Sequence, residues 1–284
     1  MTLLAVKFLL APICVCVVSL AGRRWGIAVA GLLGGLPVVA GPVLLVETLL
    51  HGREFGADAA AGTLLALAAL TAFVVVYGRV AEAAGPLRSL LCGWAAFLLG
   101  VAGLSLVQPP AAASLIVVVG CFALGLRLLP DAPRSPPIAP PPPWWDLPAR
   151  ASTALGLVLV LTAASGALGP HLSGLLAPFP IITSVLAFFT HSHQGVAQVR
   201  ALLRNFLLGF NGFAAFCFVL AVALPGLTTP TAFGLATAAA LGILAAVKHH
   251  VLQRRAIDHP SYLLADEEPR PAKSPRSVAG NMRR

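Results

Sequence analysis

Charge is what this sequence has least of. Asp, Glu, Lys and Arg make up 10% of the 284 residues, against 58% hydrophobic. A soluble domain carries about 25% charged residues. So few charges cannot cover a surface facing water, which excludes a soluble globular domain and leaves an integral membrane protein. The strict apolar–polar alternation of barrel strands is also missing. In lipid every backbone polar group must be satisfied internally, so helices remain. Acids are scarcer than bases, and the net charge is +9. That balance would suit nucleic acid, but the bases cluster at the ends of apolar segments and in the tail from Arg254 to Arg284. Such placement follows the positive-inside rule. It excludes nucleic acid as a partner and points to the lipid bilayer, whose anionic headgroups a basic tail can touch.

The remaining absences concern chemistry. Cys14, Cys16, Cys92, Cys121 and Cys217 all lie inside apolar runs, with no metal or redox spacing. No basic region precedes the first apolar run; Arg23 and Arg24 follow it. Residues 1–22 therefore read as a retained span rather than a cleaved signal. The sequence has no nucleotide-binding loop, zinc-protease helix motif, nucleophile elbow or pair of acids at membrane depth. No enzyme activity, cofactor or metal site is expected.

What is present is apolar length. Crossing the hydrocarbon core takes about 20 apolar residues. Nine segments qualify: 3–21, 26–50, 59–79, 86–106, 111–129, 152–169, 173–191, 201–224 and 231–251. The expected fold is an all-α polytopic bundle. A first membrane repeat covers 1–129, with about five spans, and a second covers 151–252, with about four. Between them, 130–150 is a proline-rich linker with four consecutive prolines from Pro140, and 253–284 is a polar basic tail. The linker favours extended polyproline structure, with Trp144 and Trp145 at the membrane interface.

Two stretches look like twins. Gly31–Gly52 slides onto Gly174–Gly195 by 143 positions, pairing Pro37 with Pro180 and the closing glycines with each other. Pro37 and Pro42 in the first, and Pro178 and Pro180 in the second, break the helical pattern. The basic flanks put the C-terminus and the linker in the cytoplasm and the N-terminus outside, at the inner membrane of the cell. The odd number of intervening spans then leaves the repeats antiparallel. Inverted repeats with matched broken helices are the plan of many secondary transporters.

Gly174-Leu175-Leu176-Ala177-Pro178-Phe179-Pro180, followed by Gly195 and Arg200, resembles GlpM-type small bacterial inner-membrane proteins. Gly31-Leu32-Leu33, Pro37 and Gly52 match the same outline more loosely. The resemblance implies a duplicated, fused version of that unit and a link to envelope polysaccharide production.

Candidate pathway residues follow from polarity at depth. Pro37, Pro42, Pro178, Pro180, Thr183 and Ser184 would line a site between the broken spans. Glu47 is an intramembrane acid near a span end, where snorkelling to the interface competes with function; its counterpart is Thr190. His191 and His193 suit a proton relay or an interfacial position. Arg204 and Asn205 open a span that also holds Asn211; both asparagines suit helix–helix hydrogen bonds or ligand contact. Two functions fit. One is a permease for a small solute or proton, working by alternating access. The other is a non-catalytic scaffold holding a membrane-protein partner in an envelope-assembly complex.

Overall fold

The computed structural model describes residues 2–107, 109–131, 143–176 and 179–258, with side-chain surroundings for 9–107, 109–131, 143–163, 179–247 and 249. Among the described residues every regular element is a helix: α1 Thr2–Trp25, α2 Ile27–Gly34, α3 Ala40–His51, α4 Arg53–Val80, α5 Pro86–Leu104, α6 Ala111–Leu128, α7 Asp146–Leu176, α8 Ile181–Ala223 and α9 Thr229–Asp258. Six of them are long and apolar enough to cross a membrane, over 53–80, 86–104, 111–128, 146–163, 181–223 and 229–247. The chain is thus a multi-pass helical membrane protein. Met1–Ala245 forms one compact unit and Ala246–Arg284 a second.

Several boundaries differ from the sequence expectation. The expected loops 51–58 and 192–200 are single-residue joints. Gly52 has φ 94° and ψ 171°, and Gly195 has φ 84° and ψ −178°. A positive φ at glycine is unstrained and turns the chain within one residue, so Arg53, Glu54 and Asp58 belong to α4 itself. The second segment, 26–50, is interrupted between α2 and α3 at Gly35–Val39, in line with its proline and glycine breakers. α7 begins at Asp146, inside the expected linker, and runs on through Gly169 and Pro170. Linker residues 132–142, Pro178 and the tail from 259 lie outside the described residues.

Helix bounds recur at the 143-residue shift. α4, 53–80, maps onto 196–223, the part of α8 after Gly195. α5 and α9 also start in register, at 86 and 229, but α5 ends at Leu104 whereas α9 runs on to Asp258. Pro86 opens α5 at a position where its missing N–H leaves no helical bond unmade.

α4 and α8 form the centre. Buried residues make up 61% and 50% of their apolar stretches, against 17–28% in α5, α6, α7 and α9. Phe73, Tyr77, Leu202, Leu203, Phe206 and Phe210 are wholly enclosed there. The two helices run in opposite directions. Arg53, at the start of α4, donates to the Leu227 carbonyl beyond the end of α8 (2.9 Å). Arg200, just after Gly195, donates to the Gly78 carbonyl (3.2 Å) and to Glu82 (2.8 Å) at the end of α4. α1 and α7 are also antiparallel, with Arg23 at the end of one bound to Asp146 at the start of the other.

α2 lies parallel to α8 at backbone contact. A Cβ added at Gly31 would meet Asn205, one at Gly35 would stand 2.8 Å from the Gly209 Cα, and one at Gly209 would stand 2.5 Å from the Leu32 carbonyl. Lipid supplies no hydrophobic force between helices, so small residues that let backbones touch provide the attraction. Gly209→Ala should therefore lower stability by about 1–3 kcal/mol through overpacking, seen as a lower thermal midpoint in detergent. Gly120→Ala, where a Cβ meets nothing within 4 Å, should be neutral or stabilising by up to about 1 kcal/mol. Equal responses would show that the contact does not hold α2.

Candidate functional site

The two interruptions are built from proline. Pro37 has no N–H to bond Leu33, so α2 stops and the chain restarts through a bond from the Gly41 N–H to the Pro37 carbonyl (2.7 Å). Pro37 is half-buried, while Pro42, in the first turn of α3, is exposed. In the second interruption Pro180 has φ −75° and ψ 59°, and α8 begins when the Ser184 N–H reaches the Pro180 carbonyl (2.8 Å). Phe179 packs on Trp94 and edge-on to Phe97, with centroids 5.3 and 5.8 Å apart. Trp94 Nε1–H donates to Ser184 Oγ (2.9 Å). Thr183, Ser184 and Thr190 are all buried. Leu186, on the same segment, lies against Gly34 of α2, so the segment after the second interruption touches the helix before the first.

About 10 Å further along α8, buried His191 meets the buried Tyr77 hydroxyl: its Nδ1 lies 3.3 Å from Tyr77 Oη, and the rings stand edge to face. The other predicted residues do not join this file. Glu47 is half-exposed at the end of α3 and pairs locally with His51 (3.1 Å). It lies near an open polar cleft of about 280 Å³ between His51, Gly52, Arg53, Glu54 and Pro225. Asn205 and Asn211 bond back to their own helix, at Ala201 (2.7 Å) and at Leu207 and Leu208 (both 3.1 Å). Their amide N–H groups thus bridge no helices. Arg204 stands 3.5 Å from exposed Asp131.

His193 belongs to a cluster that sequence reading missed. Asp146, with a side chain 1% exposed, contacts Arg23 (2.8 Å), Arg150 (2.9 Å) and His193 Nδ1 (2.9 Å). The two guanidiniums make aligned hydrogen bonds; the imidazole lies close to Oδ1 without that alignment. Trp145 and Phe189 pack edge-on against the His193 ring, and Arg150 lies over the Phe189 ring. One local signal existed: Asp146 and Arg150 have the i, i+4 spacing of a helical ion pair. Among the described residues no group of three His, Cys, Asp or Glu could hold a metal ion.

Comparison with protein-family models, characterised proteins and solved structures finds no match to this chain. Its class, a multi-pass helical membrane protein, therefore rests on the helices themselves.

Removing one partner of a buried ion pair leaves an uncompensated charge and costs about 3–5 kcal/mol. Asp146→Asn should produce a loss of that order in detergent unfolding. Glu82→Gln removes an acid whose side chain is 75% exposed and should change stability by less than about 1 kcal/mol. Similar effects of the two would remove the cluster from the forces holding α1, α7 and α8 together.

Proposed function

We propose that the chain is a secondary transporter for a small solute, built from two copies of one unit in inverted topology and working by alternating access. The observation that carries this reading is the opposite direction of α4 and its counterpart, residues 196–223, which meet end to start. Support comes from the glycine joints at Gly52 and Gly195 and from the bounds of 53–80 and 196–223, which coincide at the 143-residue shift. In transporters of this plan, interrupted helices expose backbone dipoles to substrate or ion near the midplane. Thr183, Ser184 and Trp94 would line that point, with Tyr77 and His191 on the path to one end. Counting nine crossings takes α1 and the two interrupted segments as further spans. The reading assigns no catalysis.

The charge pattern supports an orientation. Arg23, Arg79, Arg150, Arg200 and Arg204 are joined at one end of the bundle by their contacts with Asp146, Leu128, Glu82 and Asp131. The opposite end carries Glu47, Glu54 and Asp58 beside Arg53. By the positive-inside rule the first end is cytoplasmic, so the C-terminus lies inside and the N-terminus outside.

The rival reading is a non-catalytic scaffold for a membrane-protein partner, in line with the resemblance to GlpM-type proteins. One observation favours it: Ser184, Asn205 and Asn211 already bond within the chain. It predicts a stable co-purifying membrane protein.

Two measurements separate these readings. In a cysteine-free background, Asp58→Cys and Ser192→Cys should react with an impermeant maleimide from opposite faces of the membrane; labelling from one face would end the inverted topology. Ser184→Cys should react from both faces as the protein alternates, and Pro37→Leu with Pro180→Leu should suppress that reaction at least tenfold. No reaction at Ser184→Cys from either face would count for the scaffold.

A further inference from the structure

We infer that the lipid-facing side of α1, together with the start of α7, is a binding site for an anionic phospholipid. α1 exposes Leu9, Ile13, Val17 and Leu20 by 50–58%, while Ala11, Cys14, Val15, Val18 and Ala21 between them are buried. The exposed residues recur at helical spacing and form one stripe. Arg24 follows Leu20 by four residues, so it ends that stripe on the same face, and it is exposed. From Leu9 to Leu20 the stripe is about 16 Å long, close to half of a hydrocarbon core about 30 Å thick. One acyl chain would lie along it, with its headgroup at Arg24.

Tertiary contact completes the headgroup end. The Arg23–Asp146 bond brings the end of α1 beside the start of α7. Three exposed indoles adjoin the bonded pair in sequence: Trp25 (67% exposed), two residues after Arg23, and Trp144 (87%) and Trp145 (44%), just before Asp146. Indole rings settle at headgroup level. The charge at this spot is positive, because Arg23 and Arg150 share the single carboxylate of Asp146 and Arg24 adds a further cation. Guanidinium forks match phosphate oxygens. Free inorganic phosphate would meet the same cations but has no use for the aliphatic stripe or the indoles, so the ligand is the lipid. This inference does not depend on transport.

The test uses the full chain reconstituted in phosphatidylcholine bilayers. Brominated phosphatidylglycerol is titrated in, and tryptophan quenching reports its binding relative to brominated phosphatidylcholine. Arg24→Gln is the variant of choice, because Arg23 also ties α1 to α7. The wild type should favour phosphatidylglycerol several-fold. Arg24→Gln should weaken that preference about fivefold, the effect of roughly one interfacial cation. Arg88→Gln, an exposed arginine at the start of α5, should leave it unchanged. An unchanged preference in Arg24→Gln would overturn the site. So would an equal loss in Arg88→Gln, which would mean diffuse surface charge. Displacement of the lipid by millimolar inorganic phosphate would overturn the lipid as ligand.

Discussion

The backbone contact between α2 and α8 is the constraint on which the rest of the bundle depends. α2 has eight residues and is about 12 Å long, well short of a hydrocarbon core about 30 Å thick. The Gly35 and Leu36 N–H groups meet its Gly31 and Leu33 carbonyls, and in lipid any group left unmet would be expensive. The interruption is tolerable only where protein covers it. Gly31 and Gly35 on one side, with Gly209 on the other, bring the backbones close enough for that. Phe206 then fills the space against Gly34, and Leu186 meets it from the segment after the second interruption.

Charge is divided between the ends of the bundle in two different ways. At one end polar contacts link distant parts of the chain: the buried Asp146 joins α1 to α7 through Arg23, and exposed Glu82 joins the end of α4 to α8 through Arg200. At the other end Glu47 finds a partner only one turn away, in His51. Long-range pairs with a buried acid resist separation of the helices they join; a local exposed pair does not. The end bearing Asp146 is therefore the more firmly closed one. The opposite end, with its open polar cleft, is joined across α4 and α8 by the Arg53 hydrogen bond to the Leu227 carbonyl.

Much of the fold was legible in the sequence, because its causes are local. Low charge and long apolar runs dictate helices in a membrane. Pro37 and Pro180 stand at the two places where the helical pattern is interrupted. Gly52 and Gly195 were singled out as matched, although their power to turn the chain in one residue was not foreseen. The expected loops around them failed for that reason. Asn205 and Asn211 donate their amides to carbonyls of their own helix, and Glu47 pairs one turn away near the end of α3, which polar type alone does not reveal. The most densely paired acid, Asp146, was taken for linker because its surroundings in sequence are proline-rich.

By itself, then, the sequence determined the apolar environment, the helical class and the breaks at Pro37 and Pro180, since each follows from residues within one or two turns. Only the tertiary structure decided which helices touch and in which direction. Asp146 meets Arg23 from 123 positions away, and Tyr77 meets His191 from 114. No local pattern encodes such pairings. They arise because the glycine faces let the backbones close, and that closure sets which polar groups share the interior.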